Sequence, residues 1–82
     1  NFKGHDAVLA VSRKALKGVR INRLEVRETA VDERLRTKIV RMCRDHNIRH
    51  VFITTTSIEY LKPFSIELCK LGAYLDLYER SS

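Results

Sequence analysis

Two spacings of hydrophobic residues along the chain predict an alternation of helices and strands. Between Gly4 and Gly18 apolar residues recur at helical spacing, and Lys17 followed by Gly18 after the last of them is typical of a helix C-terminus. From Val19 to Arg27 apolar and charged residues alternate, with Leu24 and Val26 on one face, which predicts a half-buried strand. We therefore expect a helix followed by a strand at the start of the chain.

A second helix and a second strand are predicted in the middle of the chain. The sequence at Thr29–Asp32 has the spacing of a capping box, and the amphipathic pattern that follows it predicts a helix ending near Asn47. The apolar side of this helix comprises Leu35, Ile39, Met42, Cys43 and His46. The short apolar run from His50 to Thr55 is typical of a central strand that is buried on both faces.

The last third of the chain predicts one more helix and one more strand. Pro63 is expected at the first position of a helix that ends at Gly72, and the alternation from Ala73 to Tyr78 predicts an edge or near-edge strand. The order α-β-α-β-α-β indicates an α/β fold with a sheet of three or more strands packed with helices in two or three layers.

The length of 82 residues allows one domain. Residues 1–82 are therefore expected to form a single basic α/β domain. Because the chain begins with Asn1 and its only methionine is Met42, we expect it to be excised from a longer protein.

No apolar run approaches the roughly 18 residues of a membrane span, so we expect no membrane contact. Cys43 and Cys69 both fall within apolar helical patterns, which favours free thiols and an intracellular, reducing compartment such as the cytoplasm. A single disulfide between them is the alternative.

The positive charge is concentrated in one part of the chain. Residues 13–49 carry twelve of the sixteen Lys and Arg residues against five acids, a local balance of +7, whereas the remainder is close to neutral. Such asymmetry indicates a surface that meets a polyanion, such as the phosphate backbone of RNA or DNA. The residues expected to bind nucleic acid are Arg34, Lys38, Arg41 and Arg44 on the second helix, with Arg23 and Arg27 on the preceding strand. The competing interpretation is a solvated helix face, since Glu33 and Asp45 lie close by.

Two tyrosines outside the basic region are candidates for contact with a partner. Tyr74 and Tyr78 fall on the same face of the last predicted strand. Such a pair can stack on bases, pack inside the fold, or bind a protein partner or a second copy of the chain.

The residues that favour chemistry do not form a convincing constellation. Cys43, His46 and His50 have the spacing of half a zinc site, but a fourth ligand, Cys69 or His5, would have to come from elsewhere in the fold. Cysteine and histidine on the apolar face of a helix are more often simply packed, and a Cys/His nucleophile pair has no third orienting group here. The three glycines lie far apart and form no phosphate-binding loop. We predict no catalytic residue, no metal and no cofactor.

The chain has a resemblance to one group of RNA-binding folds. The opening Gly4-His5-Asp6-Ala7-Val8, the strand from Val19 to Val26 and the helix led by Glu33-Arg34-Leu35 resemble the N-terminal substrate-binding domain of SpoU-type RNA 2′-O-methyltransferases. The passage from Met42 to Ile53 is similar to the helix-to-strand passage of the related L7Ae/L30e ribosomal group. The likeness covers about residues 4–62 and implies an α/β/α accessory domain that positions RNA without doing chemistry on it.

These observations favour one function and leave two others open. The leading hypothesis is a non-catalytic nucleic-acid-binding domain, with RNA ahead of DNA, that uses the basic helix face. The alternative is a protein-interaction or oligomerisation domain of a larger assembly that uses Tyr74 and Tyr78. A third hypothesis is a fragment of an enzyme whose catalytic residues lie outside this segment.

Overall fold

Six elements follow one another along residues 8–80, the part of the chain that the structure, a computed structural model, describes. They are β1 (Val8–Leu16), β2 (Val19–Val31), α1 (Glu33–Asp45), β3 (Ile48–Ile58), α2 (Leu61–Lys70) and β4 (Tyr74–Glu79). The fold is therefore a small α/β domain with the order β-β-α-β-α-β.

The four strands form one mixed sheet in the order β1-β2-β3-β4. The β1 and β2 strands form an antiparallel hairpin, whereas β3 runs parallel to β2, and β4 runs parallel to β3. Each parallel connection contains one helix, and right-handed crossovers in the same direction across a sheet place both helices on the same face. The helices indeed share one core with the strands, so residues 8–80 form two layers, and none of their helices covers the other sheet face.

The prediction of a helix between Gly4 and Gly18 is wrong for the residues that the structure describes. Val8–Leu16 is a strand, and Gly4 to Ala7 lie outside the described residues. The reason lies in the turn: Lys17 has a φ of 52° and Gly18 a φ of 83°. Two successive positive φ angles are typical of the two-residue turn that best joins antiparallel strands. Gly18 therefore closes a hairpin rather than a helix, and the order predicted for the chain is wrong at its first element.

The core lies between the helices and one face of the sheet. Its strand residues alternate as predicted for β2, since Leu24 and Val26 are completely buried. The other fully or nearly buried members include Val51 and Ile53 of β3, Ile39 and Cys43 of α1, and Phe64 and Leu68 of α2. The prediction that the central strand is buried on both faces is wrong, because Phe52 on its other face is only half-buried. Neither α1 nor α2 covers that face.

A bulge in β3 sets which of its side chains enter the core. Asn22 of β2 lies opposite Ile48, but the next residue, Arg23, lies opposite His50. Arg49 is therefore an extra residue on β3, as in a β-bulge. Its guanidinium turns to the end of α2, where Nε donates a hydrogen bond of 3.0 Å to the carbonyl oxygen of Gly72.

The helix ends differ in detail from the sequence prediction. Asp32, rather than Thr29, caps α1, and its carboxylate accepts a hydrogen bond of 2.9 Å from the backbone N–H of Leu35. The α2 helix begins at Leu61, two residues before Pro63. Proline is tolerated there because backbone N–H groups in the first helical turn have no intrahelical partner. Gly72 has a φ of 81° and ends α2 as predicted.

We expect the Asp32→Ala variant to lose about 1 kcal/mol of unfolding free energy, because the N–H of Leu35 loses its capping partner. Urea denaturation followed by circular dichroism measures this. Asp45→Ala is the matched control, since Asp45 is an exposed acid at the opposite end of the same helix, where its negative charge opposes the helix dipole. Equal losses in the two variants would contradict the capping role.

Candidate nucleic-acid interface

The outer side of α1 carries four exposed cations, which we call the helix surface: Arg34, Lys38, Arg41 and Arg44. They span eleven residues of helix, or about 15 Å from first to last. Within residues 8–80 no carboxylate oxygen lies within 4.0 Å of a charged nitrogen of any of the four. The ion pairs found there involve Arg23 and His50 instead. The charge of this surface is therefore directed to solvent.

A groove of about 450 Å³ runs between α1 and α2 beside the helix surface. Arg41 and Arg44 line it together with Glu67 of α2. Arg36 also lines the groove, but its guanidinium contacts the segment before α2. Its Nη1 donates a hydrogen bond of 2.7 Å to the carbonyl oxygen of Glu59, and its Cζ lies 5.2 Å from the ring centroid of Tyr60. This guanidinium holds the start of α2 against α1.

The uncovered face of the sheet carries the other predicted site residues. We call it the sheet surface, and its residues are Arg23, Glu25 and Arg27 of β2, His50, Phe52 and Thr54 of β3, and Tyr74, Asp76 and Tyr78 of β4. The strand register aligns Arg23 with His50 and Tyr74 in one row across the sheet. Two rows further along, Arg27 aligns with Thr54 and Tyr78. The structure therefore divides the six predicted basic residues between two opposite surfaces, with Arg23 and Arg27 apart from the helix surface.

Contacts within the sheet surface order its side chains. The Cζ atom of Arg23 lies 5.0 Å from the ring centroid of Phe52, a cation–π distance, and its Nη2 lies 3.9 Å from Oε2 of Glu25. The ring of His50 lies 5.7 Å from that of Tyr74 at a tilt of 35°. Tyr74 and Tyr78 remain 66% and 63% exposed. The two tyrosine rings are therefore available to a ligand, whereas His50 packs against Tyr74 and Arg23 packs against Phe52.

His50 also faces an acid on the same surface. Its Nε2 lies 3.7 Å from Oδ2 of Asp76, which is beyond hydrogen-bond distance. That nitrogen is buried and has no hydrogen-bond partner in the part of the chain that the structure describes. The imidazole therefore contributes mainly its flat surface, on which Tyr74 rests.

The β1–β2 hairpin adds a third group of cations, of which sequence reasoning assigned Arg13, Lys14 and Lys17 to a helix. We call residues 13–22 the hairpin tip, because β3 begins only opposite Asn22 and most of this ribbon extends beyond it. The tip is exposed and contains four cations and no acid: Arg13, Lys14, Lys17 and Arg20. Asn22 anchors its base, since Nδ2 donates a hydrogen bond of 2.8 Å to the carbonyl oxygen of His46. The Lys-Gly dipeptide between two β-prone runs was the signal for this hairpin.

The half zinc site suggested by the sequence is dispersed in the structure. Cys43 is buried in the core, His46 is exposed at the end of α1, and His50 lies on the sheet surface. Cys69 is exposed on α2, and His5 lies outside the described residues. Among residues 8–80 there is no group of three or more Cys, His, Asp or Glu side chains that could hold a metal ion.

Comparison of the chain with protein-family models, with curated proteins and with solved structures finds no match. The resemblance to SpoU-type substrate-binding domains and to the L7Ae/L30e group therefore stays a hypothesis. In the part of the chain that the structure covers, no helix is long and apolar enough to cross a membrane.

The two cysteines are expected to react very differently. Burial raises the pKa of the Cys43 thiol from its ordinary 9.0 to about 11, because the core does not solvate a thiolate. Exposed Cys69 should therefore react with Ellman's reagent at pH 8 in the native protein, whereas Cys43 should react only after unfolding. Rapid reaction of both thiols under native conditions would contradict the burial of Cys43.

The same burial predicts a pH dependence of stability. The folded pKa of Cys43 lies above its unfolded value, so the contribution is fully present below pH 9 and is lost as the pH rises toward 11. We expect the unfolding free energy of wild type to fall more steeply over this range than that of Cys43→Ala, measured by urea denaturation. Parallel curves for the two proteins would show that Cys43 does not titrate in this way.

Proposed function

We propose that this domain is a non-catalytic nucleic-acid-binding module, with RNA favoured over DNA, whose helix surface contacts phosphates. The observation that carries the proposal is the row of four exposed α1 cations without an acidic partner in residues 8–80. A surface of this kind attracts a polyanion because each neutralised phosphate releases condensed counterions.

The chemistry of the four side chains supports phosphate contact. Three of them are arginines, whose planar guanidinium donates two parallel hydrogen bonds to a phosphate, while Lys38 acts as a point charge. Contacts of this type position a nucleic acid without reading its sequence. RNA is favoured because residues 4–62 resemble RNA-binding accessory domains. The proposal assigns positioning, and no reaction, to the domain.

The test is binding of fluorescently labelled structured RNA, single-stranded RNA and duplex DNA across roughly 50 to 300 mM salt. We expect the triple variant Arg34→Glu/Lys38→Glu/Arg41→Glu to lose binding and to reduce the slope of log affinity against log salt by about two to three. The matched control is Lys62→Glu/Lys70→Glu/Arg80→Glu, which makes the same change of net charge at exposed positions outside the basic region. Because net charge is equal in the two variants, a difference between them locates the contact.

Two outcomes would contradict the proposal. If wild type binds none of the three ligands at the lowest salt, the domain is not a nucleic-acid-binding module. If both triple variants lose affinity equally, the attraction is one of net charge and not of the helix surface.

The free edge of the sheet favours a second candidate function, in protein association. Within the described residues β4 pairs only with β3, so its outer edge leaves backbone donors and acceptors available to another strand. Tyr74 and Tyr78 lie on this strand. This alternative predicts a mass that rises with protein concentration at high salt, and reversal by Tyr74→Lys/Tyr78→Lys, measured by multi-angle light scattering. A constant monomer mass would exclude self-association.

A further inference from the structure

The uncovered sheet face has a composition that suits unpaired bases. We propose that the sheet surface binds single-stranded nucleic acid, with bases stacked on Tyr74 and Tyr78 and the phosphate backbone lying along the β1–β2 hairpin. The inference rests on the proposed function in that its ligand is a nucleic acid. It assigns the ligand's unpaired bases to a surface on the opposite side of the domain from α1.

The rings that would receive the bases are exposed and ordered. Tyr74 and Tyr78 present more than half of their surface to solvent, and the ring of His50 supports Tyr74 from within the sheet at 5.7 Å. The Cζ atom of Arg23 lies 5.0 Å from the centroid of the Phe52 ring and partly covers it, so the two tyrosines are the exposed rings of this surface. Rings held in place before binding lose little conformational freedom when a base stacks on them.

The spacing of the rings separates one base from another. Tyr74 and Tyr78 are four residues apart on the same face of β4, which corresponds to about 13 Å along the strand. One base cannot cover both rings at that distance. The single-stranded nucleic acid therefore places different bases on the two rings, as expected for a surface that contacts several nucleotides.

Charge places the phosphate backbone beside the rings. Strand alternation puts Lys14, Arg23 and Arg27 on this face. Arg13 and Arg20 lie on the helix side instead, as Asn22 does. The two acids of the sheet surface each lie within 4.0 Å of a basic side chain, Glu25 near Arg23 and Asp76 near His50. Neighbouring strands lie about 4.8 Å apart, so β2 and β4 are separated by roughly 10 Å. A backbone on the cationic β2 side would therefore direct its bases across β3 onto the tyrosines of β4.

The same geometry disfavours a duplex on this face. In a double helix the flat faces of the bases are covered by their neighbours, and only edges and phosphates are accessible. Stacking on aromatic rings needs a free base face, and it tolerates different sequences because every base has one. The sheet surface is therefore expected to select single strands without strong sequence preference.

The experiment compares two probes of equal length and charge: a fluorescein-labelled ten-nucleotide oligouridine and an abasic oligomer with the same number of phosphates. We expect wild type to bind oligouridine at least tenfold more tightly than the abasic oligomer. Tyr74→Ala/Tyr78→Ala should lose most of that preference while its affinity for the abasic oligomer stays the same, since each stacked base contributes about a tenfold factor or more. Tyr74→Phe/Tyr78→Phe should retain the preference, because the rings remain.

Tyr60 provides the matched control. It is 69% exposed, but it lies at the start of α2 beside Arg36, on the helix side of the domain. Tyr60→Ala should keep the preference for oligouridine. The chain has three tyrosines and no tryptophan, so tyrosine fluorescence is an independent readout. Oligouridine should quench the fluorescence of wild type and of Tyr60→Ala, and it should leave that of Tyr74→Ala/Tyr78→Ala unquenched.

The outcomes separate this inference from the proposed function. Equal affinity of wild type for both probes, together with loss of binding in the helix-surface variant, would overturn the sheet site and leave the proposed function in place. A preference for oligouridine that depends on Tyr74 and Tyr78, but not on the helix surface, would support the inference and overturn the role of α1. A dimer of wild type that Tyr74→Ala/Tyr78→Ala dissolves, with no base preference, would assign the face to a second copy of the chain. Absence of binding to either probe would overturn the inference, and absence of binding to structured RNA and duplex DNA as well would overturn the proposed function.

Discussion

The placement of both helices on one face of the sheet is the constraint on which the rest of this structure depends. The parallel strands β2, β3 and β4 follow one another in the same direction across the sheet, so two crossovers of the same hand cover the same side. The core forms on that side alone. Every second residue of β2, β3 and β4 then lies outside this core, and these positions include arginine, histidine, aromatic and acidic side chains. A two-layer fold thus separates the residues that stabilise it from those available to a ligand.

Much of the fold could be predicted from local patterns, and the exception has a clear cause. The five elements after residue 18 were predicted in type and order, because their apolar spacings are long or their ends are marked by Asp32, Gly72 or Pro63. Residues 8–16 fit two spacings, since Val8, Val11 and Ala15 suit a helix while Leu9 and Val11 alternate as in a strand. Pairing with β2 decides between them, and no local pattern contains that pairing.

The candidate site was predicted in part for a similar reason. The exposure of Arg34, Lys38, Arg41 and Arg44 follows from helical geometry alone, and the structure has them exposed. Whether Arg23 lies on the same side of the domain as α1 depends on the topology, which the sequence does not display. Phe52 and His50 were placed in a doubly buried strand because an apolar run does not reveal whether a second helical layer exists.

The extra residue at Arg49 has a consequence for how such a surface can change. Strand side chains alternate, so from buried Ile48 a regular strand would send His50 inward and Val51 outward. The bulge reverses this parity and directs Val51 and Ile53 to the core, with Phe52 outside. Which residues of β3 face away from the core therefore depends on the number of residues that precede them in the strand, and not on the chemistry of their side chains. Point substitutions alter this face one position at a time. Removal of Arg49 would restore regular alternation and leave the two faces of β3 as they are, whereas insertion of one residue after Val51 would reverse the side on which every later residue of the strand lies.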